Sequence, residues 1–213
     1  MLARTSQLLS FKHFFSDHLK SLRNAGFEVR VESSLSHVAI LVPSVRKSAD
    51  LLAKHSFEIG EEEDFEETKE IYVQGGAHNP LLLMEAKEIG SYRKALEKRG
   101  PGVHHIAIDV TNLESYLKSL SGSGWLLHLN SLHTVKHMNT AYLARPGFPA
   151  LIEVQEKKSL QNGPLFVEKI LMKFEKNLEN LVNSIGLNDL VQRSEGVESL
   201  TLRGQTISFQ NLF

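Results

Sequence analysis

The chain lacks cysteine entirely among its 213 residues, which excludes disulfide bonds, thiolate metal sites and cysteine nucleophiles. It also lacks an excess of either charge: the net charge of −1 excludes the broad basic surface that is typical of nucleic-acid binding. No apolar run approaches the roughly 18 residues of a membrane-spanning helix. We therefore expect a soluble protein with neither nucleic acid nor membrane as a partner, and its 41% hydrophobic content is sufficient for a core.

The first 26 residues are basic, and their apolar residues fall on one helical face. Those residues are Leu8, Phe11, Phe15, Leu19 and Leu22. One interpretation is a mitochondrial presequence, which would place the protein in the matrix. The other, which we favour, is a helix docked on the core of a cytoplasmic protein.

An internal repeat organises the middle of the chain. HVAILVPSV at 37–45 is similar to HIAIDVTNL at 105–113, an offset of 68 residues. The same offset aligns Phe57 with Trp125, and LMEA at 83–86 with LIEV at 151–154. One structural unit is therefore expected twice.

Each copy has the periodicity of a βαβββ module. HVAILV alternates as a strand does, and Pro43-Ser44 opens a helix with one apolar face through about His55. Further strands are predicted near 57–63, 69–74 and 81–86, then near 103–110, 124–130, 139–144 and 150–156, with helices at 92–99 and 112–120. The predicted fold class is α+β, with two tandem modules at 36–87 and 103–156.

The repeat places two kinds of metal ligand at equivalent positions. His37 corresponds to His105, and Glu85 corresponds to Glu153. A single histidine on a strand is usually structural, but both types recurring at one offset favour a shared four-ligand site. The ion would be Co, Ni, Zn, Mn or Fe, since no thiolate is present.

These residues carry a resemblance to a known family. EKRGPGVHHIAIDV at 97–110, SHVAILV at 36–42 and ALIEVQE at 150–156 resemble the methylmalonyl-CoA epimerase branch of the vicinal-oxygen-chelate superfamily, which includes the glyoxalases and bleomycin-resistance proteins. The resemblance covers about 35–157 and implies a glyoxalase-like open barrel. It implies His105 rather than His104 as the second histidine ligand, and strand parity also predicts that His104 packs against a helix.

The resemblance implies a metal-dependent epimerase that removes a proton next to a thioester carbonyl, with a small acyl-CoA as substrate. Inversion at carbon requires two groups on opposite faces of the substrate. Glu153 matches one of the family's glutamates, and Glu67, in the acidic run 61–70, is our best match for the other. Two further classes stay open: a glyoxalase-I-like lyase or dioxygenase, and a non-catalytic small-molecule-binding protein. The dioxygenases of this fold use two histidines and one glutamate, so a coordinating Glu85 would argue against them.

Two segments depart from the family pattern. AKEIGS at 86–91 and HTVKHMNT at 133–140 replace a longer proline-containing loop and a glycine-histidine-glycine stretch. Both family segments shape the thioester pocket, so the acyl group is left open. His133 and His137 are interpreted as surface residues of a loop.

Three regions are predicted: an N-terminal extension at 1–34, the repeat domain at 35–157, and a C-terminal extension at 158–213. In the last, helical spacing after Gly163-Pro164 is seen for Phe166, Ile170, Phe174, Leu178, Leu181 and Ile185. VESLTL and TISF around Arg203-Gly204 predict a terminal hairpin. We expect this extension to pack on the core or to form a homodimer contact.

Overall fold

The computed structural model describes residues 8–9, 32–76 and 78–213. The N-terminal helix predicted for the first 26 residues therefore lies outside the described residues, apart from one short strand at Leu8–Leu9. Within the described ranges, no helix is both long enough and apolar enough to cross a membrane.

The strands and helices have the following bounds. The strands are β1 Leu8–Leu9, β2 Ser33–Val42, β3 Glu58–Asp64, β4 Thr68–Gln74, β5 Leu81–Ala86, β6 Gly102–Val110, β7 Leu126–His128, β8 Thr140–Ala144, β9 Leu151–Glu156, β10 Val167–Met172, β11 Val191–Arg193, β12 Ser199–Leu202 and β13 Gln205–Ser208. The helices are α1 Val45–Ala53, α2 Ser91–Arg99, α3 Leu113–Ser119, α4 Ser131–Met138, α5 Glu179–Asn183 and α6 Phe209–Leu212, with a 3-10 turn at Lys176–Leu178.

The two modules share one open sheet. Its strand order is β1-β7-β8-β9-β6-β2-β5-β4-β3, so the first strands of the modules, β2 and β6, are antiparallel neighbours at the centre. Each first strand also pairs in parallel with the last strand of its own module. The predicted fold class, α+β with two tandem βαβββ modules, is confirmed. The second module carries α4 as an additional helix.

The central strands have two distinct faces because successive side chains point in opposite directions. We call the side of Val38, Ile106 and Ile152 the helix face, since these fully buried residues join the core formed with α1 and α3. We call the opposite side, which carries His37 and Ala39, the site face. The alternation of HVAILV predicted this division.

The segment after the second module differs from its predicted helix. Val167–Met172 is strand β10, and α-helix is confined to Glu179–Asn183. The apolar residues used for the helix prediction begin with Phe166 and Ile170, four positions apart, and a spacing of four fits the period of a strand as well as that of a helix. A bulge between Val167 and Lys169 adjusts which residues are buried. The terminal hairpin is confirmed, because β12 and β13 pair across Arg203-Gly204.

The C-terminal segment shares the core of the two modules. Its strands form a second sheet in the order β11-β10-β12-β13, and its buried residues belong to the same cluster as those of the helix face. Buried Asn79 donates to the carbonyl of Val167 at 2.9 Å and accepts from the backbone nitrogen of Phe166 at 2.7 Å. The Trp125 indole donates to the carbonyl of Leu181 at 3.0 Å. This docking covers the helix face.

Phe166→Ala tests that shared core. Phe166 is fully buried and meets Phe57 edge-on with ring centroids 5.3 Å apart, so its loss should lower the free energy of unfolding by about 3–5 kcal/mol. Leu165→Ala is the matched control, because Leu165 is 39% exposed, and should change stability by less than about 1 kcal/mol. Urea unfolding measures both. Equal, small effects would show that the segment is not part of the core.

Candidate metal centre

Three predicted ligands converge on the site face. The Nε2 atoms of His37 and His105 are 3.0 Å apart, and His105 Nε2 is 3.3 Å from Glu153 Oε2. One ligand atom from each residue lies within 4.8 Å of the other two. His105 and Glu153 are buried and His37 is half-buried. Such a group of two imidazoles and a carboxylate could hold a divalent ion.

The register of three central strands produces this convergence. On the antiparallel pair β2–β6, His37 lies opposite Ala107, and Ala39 lies opposite His105. On the parallel pair β6–β9, Glu153 lies beside Ala107. The two histidines therefore flank small alanines on one face, and the carboxylate reaches them from the neighbouring strand.

The distances fit one ion. Two nitrogens that each bind an ion at about 2.1 Å, at right angles to one another, lie about 3.0 Å apart. Such a ligand set lacks sulfur, which favours an ion that accepts nitrogen and oxygen ligands.

Burial keeps the imidazoles neutral. It lowers the pKa of His105 to about 4, and burial together with the neighbouring His105 lowers the pKa of His37 to about 4. A neutral imidazole has a free lone pair for a metal, whereas a protonated one has none. Both rings are therefore ready to act as ligands at neutral pH.

His104 supports His105 from behind. Their Nδ1 atoms are 2.9 Å apart, and burial lowers the pKa of His104 to about 3, so a neutral His104 can accept the Nδ1 proton of His105. That arrangement directs the lone pair of His105 Nε2 toward His37 and Glu153. The expectation that His104 packs against a helix of the opposite face is corrected: β6 bulges at this residue, and its ring lies 4.9 Å from that of Tyr92 in α2.

Glu153 is also held in place. Its Oε1 accepts hydrogen bonds from Gln155 Nε2 at 2.7 Å and from the Tyr142 hydroxyl at 3.3 Å. Its other oxygen, Oε2, therefore remains directed at His105. Neither partner is among the residues predicted from the sequence, although the i+2 position of Gln155 places it on the same strand face as Glu153.

The structure does not bring Glu85 into the cluster. Glu85 lies on the helix face beside Val42, and its Oε2 accepts from the backbone nitrogen of Val45 at 2.9 Å, at the start of α1. Glu156 makes the same contact at 2.8 Å with the first residue of α3, Leu113. The structural counterpart of Glu85 is thus Glu156, and both carboxylates stabilise helix N-termini.

The physical reason is an insertion in the second module. Pairing with the first strand equates Leu81 with Ile152, an offset of 71 rather than 68, because the second copy is three residues longer before its last strand. An odd shift moves every side chain to the other face of a strand. The counterpart of Glu153 is consequently Leu82.

Glu67 lies in the turn between β3 and β4 and is half-buried. Its Oε2 accepts from the Ser91 backbone nitrogen at 2.8 Å and from the Ser91 hydroxyl at 2.6 Å, and these bonds lower the pKa of the carboxyl. It shares with His105 and Tyr142 the lining of a cavity of about 1050 Å³. The carboxylate is engaged in holding the first residue of α2.

His133 and His137 are not in a loop, as was expected, but on α4, with ring centroids 4.5 Å apart. Four residues form one helical turn, which brings the rings together. Neither belongs to the three-residue cluster of the site face.

Comparisons with known proteins give structural likeness only. No protein-family model matches the chain, and no curated protein matches it. Among solved structures, a hypothetical protein from Bacillus halodurans is 23% identical, with a TM-score of 0.48, over 62% of this chain and 99% of its own. Methylmalonyl-CoA epimerase from Mycobacterium tuberculosis is 22% identical, with a TM-score of 0.45, over 57% and 86%.

A variant of 4-hydroxymandelate synthase from Streptomyces coelicolor is 20% identical, with a TM-score of 0.45; the match covers 62% of this chain and 51% of that one. This enzyme and the methylmalonyl-CoA epimerases both have the vicinal-oxygen-chelate fold. The strand order and register described above define the fold of this chain independently.

Two substitutions test whether a carboxylate binds the metal or stabilises a helix N-terminus: Glu153→Gln and Glu85→Gln. We expect Glu153→Gln to weaken Co²⁺ binding by about tenfold or more, since it removes an anionic ligand. Glu85→Gln should leave Co²⁺ affinity unchanged and lower the free energy of unfolding by about 1 kcal/mol. Isothermal titration calorimetry and urea unfolding measure the two quantities. Loss of affinity in Glu85→Gln would restore it as a ligand.

The lowered histidine pKa values predict a pH dependence for the metal-free protein. The folded-state pKa values of about 4, 4 and 3 lie below the unfolded value of 6.5, so the unfolded chain binds protons first as pH falls. The free energy of unfolding should therefore decrease below pH 6.5, by up to about 1.4 kcal/mol per pH unit for each proton. Above pH 6.5 these groups should have no effect.

His104→Gln is the control for this pH dependence. It removes one titrating group and keeps a hydrogen-bond acceptor, so the decrease measured by urea unfolding at pH 7, 6 and 5 should be shallower. An unchanged slope would contradict the assignment to buried histidine.

Proposed function

We propose that this protein is a metal-dependent epimerase that removes a proton next to the thioester carbonyl of a small acyl-CoA. The observation that carries the proposal is a pair of carboxylates on the site face, contributed by the two modules: Glu153 on β9 and Glu70 on β4. Inversion of a carbon centre needs a proton acceptor and a proton donor on opposite sides of the substrate.

Glu70 has the properties of the second base. It is half-buried, interacts electrostatically with Glu153, and accepts from the Thr68 hydroxyl at 2.7 Å. Burial raises the pKa of its carboxyl, which brings a base closer to the working pH. We therefore propose Glu70 in place of Glu67, whose pKa is lowered by its bonds to Ser91.

The cavity beside the cluster suits an anionic substrate. The described residues that line it include four basic ones and one acidic one, Glu67. The basic residues are Lys94, Lys98, Arg99 and Arg145. A cleft lined by one sign of charge attracts ligands of the opposite sign. The negative charges of the phosphates and carboxylates of an acyl-CoA complement these basic side chains. This complementarity supports an acyl-CoA as the substrate class.

A divalent ion held by His37, His105 and Glu153 would polarise the substrate carbonyl and stabilise the negative charge that develops as the neighbouring proton leaves. The protein residues supply the remaining requirements. His104, Gln155 and Tyr142 orient two of the ligands, and Glu70 and Glu153 exchange the proton at carbon.

A dioxygenase is the second candidate, because the cluster has two histidines and one carboxylate. That set, with open positions, is characteristic of non-haem Fe(II) oxygenases. A coordinating Glu85 would have argued against this class, and the structure places Glu85 on the opposite face.

Proton NMR in deuterium oxide tests the epimerase proposal. Metal-reconstituted protein with a single epimer of methylmalonyl-CoA should exchange the α-proton and invert the carbon centre. Glu70→Gln should slow the inversion at least about a hundredfold while retaining the metal, because inversion needs both bases. Glu67→Gln, at the other candidate base, should exchange at close to the unaltered rate.

Two outcomes would contradict the proposal. Inversion that survives Glu70→Gln but not Glu67→Gln would assign the second base to Glu67. If metal-loaded protein does not exchange the α-proton, it is not an epimerase of methylmalonyl-CoA. Oxygen uptake by the Fe²⁺ form with catechol as a probe would then favour the dioxygenase.

A further inference from the structure

The pseudo-twofold between the modules relates more than the two histidines. Tyr72 lies opposite Leu82 on β4–β5 as Tyr142 lies opposite Glu153 on β8–β9. Leu82 lies beside Ala39 as Glu153 lies beside Ala107. The two halves of the site therefore match in backbone register, and a leucine occupies the place where the second module has its carboxylate.

Leu82 is enclosed by apolar side chains. It is 4% exposed and belongs to a small cluster on the site face with Ala39, Leu41, Met84 and Ala86. Tyr92, Ala95 and Leu96 of α2 pack against this cluster. The immediate surroundings of Leu82 are thus apolar, whereas the equivalent position in the second module carries the carboxylate of Glu153.

We infer that Leu82 sets the number of protein ligands at three and reserves the positions on its side of the ion for the substrate. The inference rests on the proposed metal-dependent function. A carboxylate here would add a fourth protein ligand and a second negative charge. With leucine, an ion that accepts six ligands retains three positions for water or substrate oxygens. Leu82 is therefore a specificity-determining residue that leaves these positions open to a substrate and places an apolar side chain beside them.

Four substitutions test this inference by calorimetric titration with Co²⁺. Leu82→Glu should raise the affinity by about tenfold or more, and Leu82→Gln, which buries no charge, should raise it by a smaller factor. Met84→Glu is the matched control: it adds an acid on the same strand and face but away from the symmetry-related position, and should give no gain. Glu153→Leu should lose binding.

The combined swap is the sharpest test. In Leu82→Glu/Glu153→Leu the carboxylate is moved from the second module to the first, so Co²⁺ binding lost in Glu153→Leu should return at least in part. The visible spectrum of the Co²⁺ form is a second readout: the bands of Leu82→Glu should shift relative to those of the unaltered protein if a carboxylate replaces a water ligand. Circular dichroism and urea unfolding identify variants that are folded.

The outcomes separate this inference from the proposed function. If the unaltered protein binds no Co²⁺, both are overturned. If it binds Co²⁺ but folded Leu82→Glu and Leu82→Gln gain no affinity, or Met84→Glu gains as much, the inference about Leu82 fails and the metal site stands. If Leu82→Glu does not fold, Leu82→Gln decides the question in the same way.

Discussion

The antiparallel pairing of β2 with β6 is the constraint on which the rest of this structure depends. It joins the two modules into one sheet and places His37 and His105 on the same face. Each histidine lies opposite an alanine of the other strand, so the two histidines are diagonal neighbours. Each module alone would carry a single strand histidine with no partner. Because the pairing is between equivalent strands, residues at equivalent positions approach one another, and their Nε2 atoms come within 3.0 Å.

Residues of one chemical type perform different tasks on the two faces of this sheet. On the helix face, Glu85 and Glu156 accept from backbone nitrogens where α1 and α3 begin, and there they stabilise helices. On the site face, Glu153 is aimed at the histidines by Gln155 and Tyr142. Strand parity alone separates the two roles, since a carboxylate one position along points to the other side.

The C-terminal segment stabilises the sheet by covering its helix face. Its second sheet packs on the helix face, where fully buried Phe166 meets Phe57, and thereby covers apolar surface that the modules would otherwise expose. The site face, covered only in part by α2, retains its cavity and its cationic lining. Stability and chemistry are in this way assigned to opposite sides of one sheet.

The sequence by itself determined the repeat, the alternation of the strands and the pairing of His37 with His105, because these depend on local periodicity and on a constant offset within 37–45 and 105–113. Only the tertiary structure decided which carboxylate lies near these histidines. Three additional residues in the second module shift its last strand by an odd number of positions. Glu85 therefore lies on the opposite face, and the residue equivalent to Glu153 in the first module is Leu82. A bulge likewise returned His104 to the site face, and the strand at Val167–Met172 replaced a helix whose spacing of four residues suits both structures. In each case the deciding factor was the partner strand, which periodicity within a single segment does not specify.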